Sequence, residues 1–360
     1  MRWELTSEQK MLQESLRSRL TAALPAGGAR AWWEGEDPVA FERLLHEQGW
    51  SSVGVPEESH GQGGGLLEQA LVAECLGAAA VPSAAWLGGA LALALVADSP
   101  KSVGLLLDGP PTVLAAPAGE TPDTAPKVSA ADGRLSGRLE LVLGADRAGR
   151  LVVRADDGSA YLIDTDAAVV TAREPLDRSR SLADVELNGV AGERLPTDPA
   201  PEAVMRMAST AAVLVAADAL GAMDQLLRET VAYAKERVQF GAPIGSFQAV
   251  QHEAVEMLVE VEAARSITYY AAASVAEGNP DSAWHAAAAK AQVTASACRV
   301  ADSALMLHGA IGYTWEHDLH LTYKRVRLDH RLFAEPAAWN ERIAASLELT
   351  RQAEETSANW

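Results

Sequence analysis

The chain has 360 residues, 48% of them hydrophobic, and a formal net charge of −19. That length buries a substantial core and divides into two or three domains, while the acidic excess repels nucleic acid and anionic membrane surfaces and excludes both as expected partners. A local cationic pocket for an anionic small molecule stays open. The longest apolar runs, such as Leu91–Ala97, fall short of a membrane span.

From the N-terminus the residues turn polar at once, unlike a signal peptide, and the expectation is a cytoplasmic protein. Residues 1–105 read as a helical domain. Ser7 opens a helix with Met11, Leu12, Leu16 and Leu20 near helical period. A second helix runs from Phe41 to Trp50 and is closed by Gly49. The Gly-rich stretch Gly61–Gly65 lacks a preceding strand and a following Lys-Ser/Thr, so it reads as a flexible loop rather than a phosphate loop. An Ala-rich helix follows through Leu76. Cys75 and Cys298 sit in apolar helical patterns and are expected to be core thiols, without a disulfide.

Residues 106–197 read as a small antiparallel β domain. Leu135, Gly137, Leu139, Leu141 and Leu143 alternate with Ser136, Arg138, Glu140 and Val142, while Asp132-Gly133 and Asp157-Gly158 are hairpin turn signals. Residues 198–360 return to helix. An apolar stripe from Val204 through Leu227 leads to Arg237, a second helix spans Phe247 to Ala276, a third Ser282 to Leu307, and a fourth the last thirty or so residues. These four read as a bundle whose many small side chains favour close packing and a buried oligomer interface. The fold class is therefore α+β, mainly α. Lys324-Arg325-Val326-Arg327 is the densest basic cluster and reads as a solvated helix face.

The run Arg237-Val238-Gln239-Phe240-Gly241-Ala242-Pro243-Ile244-Gly245-Ser246-Phe247-Gln248 reads as a helix end, a Gly/Pro loop and a new helix capped by Ser246. It gathers a guanidinium, an aromatic face and amides able to grip a planar cofactor bearing a pyrophosphate. His308-Gly309-Ala310-Ile311-Gly312-Tyr313-Thr314 follows downstream. With Gly49-Trp50, Val55-Pro56-Glu57-Glu58 and Leu135-Ser136-Gly137, these motifs in this order resemble the acyl-CoA dehydrogenase family over essentially the whole chain.

That resemblance implies FAD bound between subunits, an acyl-CoA substrate oxidised to the α,β-enoyl-CoA, and an electron-transferring flavoprotein as acceptor. It implies that Arg237 lies on the pyrophosphate, with Gln239 in the same run, that Phe240 stacks near the ring system, and that Gln248 hydrogen-bonds the cofactor. Gly309 and Gly312 let the backbone approach it.

Several positions depart from the family pattern. The usual catalytic glutamate falls on Phe333, and the alternative site for that base, on the first bundle helix, falls on Ala211. Glu335 is a weak candidate base and is expected to face solvent. The family's flavin-arm glutamine is Met306, and its second glycine is Ala310. The flavin-facing loop after the first strand is Ala115-Ala116-Pro117-Ala118-Gly119-Glu120-Thr121 in place of a Thr-Glu-Pro-like run. The chain therefore resembles the non-catalytic partner in actinobacterial α2β2 acyl-CoA dehydrogenases, including those acting on steroid side chains, with FAD shared across the interface. Two other readings stay open: a self-sufficient homotetramer using Glu335 or another carboxylate, and a scaffold protein without flavin chemistry. His317 and His320 lack a third ligand nearby, so no metal site is expected.

Overall fold

Residues 5–25, 28–35 and 37–347 are described by the computed structural model. Helix α1 (Ser7–Ala23) begins at a capping box in which Gln9 N donates to Thr6 Oγ1 and Thr6 N donates to Gln9 Oε1. Leu16 and Leu20 face inward, but Met11 points to solvent. A short α2 (Arg30–Glu34) precedes α3 (Pro38–Glu47), which Asp37 caps through Val39 N. Helices α4 (Leu66–Ala78), α5 (Ala84–Val96) and α6 (Pro100–Leu107) complete the first helical stretch. The expected flexible glycine loop is instead pinned by main-chain bonds, Gly54 N to Gly63 O at 2.8 Å and Gly63 N to Val55 O at 2.9 Å. Both cysteines are buried, as expected.

Eight strands follow: β1 (Thr112–Leu114), β2 (Val128–Ala131), β3 (Arg134–Leu143), β4 (Arg150–Arg154), β5 (Ala160–Asp164), β6 (Val169–Arg173), β7 (Leu182–Ala191) and β8 (Glu193–Arg194). They form two four-stranded sheets, ordered β1-β4-β5-β8 and β2-β3-β7-β6. All pairs are antiparallel except β1 with β4, which run parallel. Asp132-Gly133 turns β2 into β3 and Asp157-Gly158 lies between β4 and β5, as the turn chemistry requires. The simple alternation through β3 fails near its end. A bulge between Leu139 and Val142 puts Leu141 at φ 55° and exposes it, so Val142 turns inward in its place.

The long helix α7 (Pro201–Glu236) runs through the centre of the molecule, with every residue from Met207 to Asp224 buried. It is long and apolar enough to cross a membrane by length and composition, but 83% of its apolar window lies inside the protein. Helix α4 touches it backbone to backbone: a Cβ on Gly77 would lie 2.0 Å from Asp218 O, and one on Gly221 would lie 1.8 Å from Glu74 O. A small hairpin of β9 (Val238–Gln239) and β10 (Ala242–Pro243) leads into α8 (Gln248–Ala276) and α9 (Ser282–His308). The fourth bundle position is not one helix. It is filled by α10 (Leu319–Arg331) and α11 (Pro336–Ser346), broken at residues 332–335 where Phe333 and Ala334 take φ of 56° and 75°. The rest of the expected last helix, residues 348–360, lies outside the described residues.

The basic cluster on α10 also departs from expectation. Lys324 and Arg327 are partly exposed, but Arg325 is 0% exposed. The reason is an ionic junction joining the three stretches of chain. Arg325 donates to Asp218 on α7 at 2.7 and 3.0 Å, to Ser83 Oγ at 2.8 Å and to Ser179 Oγ at 2.7 Å. Arg180 donates to Asp218 at 2.7 Å and to Ser83 O at 3.1 Å. Asp177 lies 3.6 Å from Arg325, and Asp329 lies 4.0 Å from Arg180. Periodicity could not place Arg325, because a guanidinium goes inside only when distant carboxylates arrive to meet it.

Candidate functional site

The end of α7 and the hairpin after it present the residues singled out in the sequence. Arg237 is the C-cap residue of α7; its main chain is bonded at both ends, N to Tyr233 O and O from Ile244 N, both at 2.8 Å. Its guanidinium is exposed and has no hydrogen-bond or ion-pair partner among the described residues. Phe240 stands at the hairpin tip with φ 53° and is 96% exposed. The Phe247 ring lies edge-on to it at 6.2 Å. Gln239 is exposed and donates to Val238 O at 2.8 Å. Gln248 is the first residue of α8 and is also exposed. Ser246 is not the helix cap: its hydroxyl turns back to Pro243 O at 2.7 Å, and Phe247 holds the cap position. Gln251, which the sequence did not single out, steadies the loop by donating to Gly245 O at 3.0 Å.

The second motif packs against the first through Tyr233, one turn before Arg237. Its ring stacks on His308 at 4.4 Å, and its hydroxyl donates to His308 O at 3.3 Å. His308 is buried, with Nδ1 at 2.8 Å from Ala304 O, and burial holds its pKa below the ordinary value. Gly309 ends α9 at φ 64°, with open space where a Cβ would be. Gly312 faces inward instead: a Cβ there would press on His308 and Leu305 at 3.1 Å and on Leu319 at 3.2 Å. Met306 is exposed on α9. His317 Nδ1 accepts from Leu319 N at 3.1 Å, and His320 packs on Trp315 and Trp33. Burial, with Lys324 and Arg30 nearby, pushes His320 down to about 4. Sequence reasoning missed the Tyr233 link, and no local signal marks it, since His308 lies 75 residues on.

Neither Ala211 nor Phe333, where the resemblance leads one to expect a base, is an acid. Ala211 is buried in α7. Phe333 is 1% exposed, and its N–H donates to Ala118 O, in the loop after β1, at 2.6 Å. Trp339 Nε1 donates to Phe333 O at 2.8 Å. Glu335 heads α11 with its side chain 53% exposed and 3.4 Å from Arg331.

Against FAD, which the resemblance implies, these residues divide. An unpaired guanidinium beside an exposed aromatic ring fits an anionic diphosphate arm. The two elements expected to flank the ring end fit it less well: the loop after β1 and the α10–α11 turn are bonded directly to each other through Phe333 N and Ala118 O.

The comparisons agree with this architecture. Residues 6–98 match the acyl-CoA dehydrogenase N-terminal domain, and residues 202–332 match the acyl-CoA dehydrogenase C-terminal domain. Acyl-CoA dehydrogenase IpdE2 of Mycobacterium tuberculosis is 35% identical over 337 residues, covering 91% of this chain and 94% of that protein. The chain belongs to the acyl-CoA dehydrogenase family. Among solved structures, this acyl-CoA dehydrogenase chain is similar to the ChsE4–ChsE5 complex from Mycobacterium tuberculosis, with TM-score 0.84 and 25% identity over 97% of this chain and 100% of that one. It is also similar to a variant of the Tcur3481–Tcur3483 steroid ACAD, with TM-score 0.83 and 25% identity over 97% of this chain and 99% of that one. Both are assemblies of two different chains.

Proposed function

We propose that this acyl-CoA dehydrogenase chain is the non-catalytic half of a two-chain, α2β2-type enzyme. In this reading Arg237, Gln239, Phe240, Gln248, Gly309 and Gly312 reach the arm of an FAD whose ring lies in a related catalytic partner. FAD supplies the hydride acceptor when an acyl-CoA thioester is oxidised to its α,β-enoyl-CoA, and the partner supplies the carboxylate that takes the α-proton. What this chain does is hold the arm: an unpaired guanidinium on an anchored main chain for the diphosphate, and an aromatic face beside it. The observation that supports the reading is the Phe333–Ala118 bond, because it buries the phenylalanine that this reading aligns with the family's base.

Val255, Leu258 and Val259 form an exposed apolar stripe on α8 and support a subunit contact there. The likeness to a steroid ACAD supports an acyl group from a steroid side chain, and the family habit supports an acceptor flavoprotein in the cytoplasm. A self-sufficient enzyme using Glu335 has less support, because that carboxylate pairs with Arg331 at the surface.

Co-expression with a related chain that keeps the glutamate tests the assignment. The complex is expected to be yellow and active, and this chain alone colourless. In the complex, Arg237→Ala should weaken FAD binding by ~10–100-fold, since a charged phosphate contact contributes ~1.5–3 kcal/mol. Full FAD occupancy in that variant at limiting cofactor would refute the shared arm.

A further inference from the structure

The turn between α10 and α11 carries strain at two consecutive positions. Phe333 and Ala334 both have left-handed main chains, at φ 56° and 75°, and neither is glycine. Such conformations persist only where the surroundings over-determine them. Here three separate anchors do so. Phe333 N donates to Ala118 O at 2.6 Å, and Trp339 Nε1 donates to Phe333 O at 2.8 Å. The fully buried Lys290 of α9 donates to Ala334 O at 3.3 Å, Asp329 O at 2.9 Å and His330 O at 3.4 Å, capping the C-terminal carbonyls of α10. The bonding continues into the sheet, where Ala118 N donates to Leu141 O at 3.1 Å and Leu141 is itself left-handed at φ 55°. Arg342 of α11 adds an ion pair to Asp123 at 2.7 Å in the same β1–β2 connection. A turn that merely joined two helices would need neither the strain nor a buried lysine.

We infer that residues 332–335 form a clamped plug, held by Lys290, Trp339 and Ala118, that keeps a flavin ring off this chain's own β1 loop. This rests on the reading that the chain shares a cofactor rather than seating one, and it deepens it: the missing carboxylate removes the chemistry, whereas the plug decides where the ring can sit. Phe333 is then a specificity-determining residue rather than a neutral replacement. Burial brings the Lys290 pKa down to about 7, and the three carbonyls it donates to oppose this by favouring the ammonium, the form with three N–H donors.

The test uses the full chain and lumiflavin, a flavin ring without the diphosphate arm. Its binding is blind to Arg237, so failure of the shared-arm reading leaves the result unchanged. Wild type is expected to show no saturable lumiflavin binding, and Phe333→Ala to bind one per chain. Ala334→Gly keeps the core intact and should raise the urea midpoint, because glycine accepts positive φ without strain. Lys290→Met should speed hydrogen exchange of the Phe333 amide at least ~10-fold while leaving the centre of α9 unchanged. Lumiflavin binding to wild type, or none to a folded Phe333→Ala, overturns the plug. If Phe333→Ala does not fold, a lowered midpoint in Ala334→Gly or unchanged exchange in Lys290→Met overturns it instead.

Discussion

Asp218 and Asp329 are both fully buried in the ionic junction, yet the same substitution should affect them in opposite directions. Burial pushes the Asp218 carboxyl up, but Arg325 and Arg180, donating at 2.7 Å each, more than reverse this and hold it below the usual carboxylate range. Asp329 receives no such bonds: burial, then the neighbouring Asp218 charge, raises it well above its ordinary value. Of these two carboxyls, Asp329 is the one that holds its proton to higher pH. Asp218→Asn strands two buried guanidiniums and should cost about 3–5 kcal/mol. Asp329→Asn replaces a carboxyl whose charge is disfavoured there with a neutral amide of the same shape.

The pH dependence gives a second, independent sign. The native state binds the Asp329 proton more tightly than the unfolded chain does. Its contribution is therefore complete below the unfolded value near 3.8 and is lost progressively as pH rises above it. An asparagine has no such loss, so the stability of Asp329→Asn relative to wild type should grow from pH 4 to pH 7. Urea unfolding of both variants at pH 4, 5.5 and 7 measures this. An Asp329→Asn penalty equal to that of Asp218→Asn at pH 7, or an advantage that shrinks with rising pH, refutes the proton assignment.

Other outcomes follow from the same geometry. Glu335→Gln should leave turnover of the assembled enzyme within ~2-fold of wild type; a loss of ~100-fold or more would make Glu335 the general base. Burial, then the nearby Glu74 charge, pushes the Cys75 thiol up to about 12, so a thiol reagent at pH 8 should label it only after unfolding. Rapid labelling of Cys75 in the native protein would contradict this. Phe240→Ser, at a ring 96% exposed, should change folding stability by less than ~0.5 kcal/mol while weakening FAD retention in the complex. Unchanged retention would remove Phe240 from the arm site.

How far the site was legible depended on whether its signals were local. The Asp132-Gly133 and Asp157-Gly158 turns follow from the φ that each residue type accepts, and the helices with one apolar face were readable from their period. Helices α5 and α7 were harder to delimit, since burial on most sides erases the contrast between faces. The Arg237–Gln248 run was legible as a helix end, a loop and a new helix, but the hairpin within it and the true cap at Phe247 were not, because Ser246 found a nearer acceptor in Pro243 O. Glu335 went to the surface as expected. Arg325 did not, and the groups its guanidinium donates to are far off in the chain: Asp218 and Ser83 stand 107 and 242 residues away in sequence.

Residue order alone determined the family, the helix–sheet–helix succession and the absence of an acid at Phe333 and Ala211, since each depends on residue type at a position. Only the tertiary structure decided what those replacements mean. Whether Phe333 is an empty loss or a filled wedge turns on its bond to Ala118, more than 200 residues earlier in the chain. The clamp by Lys290 likewise exists only once α9 lies beside α10. Contacts of that kind depend on packing between distant elements, and neither local propensity nor periodicity encodes them.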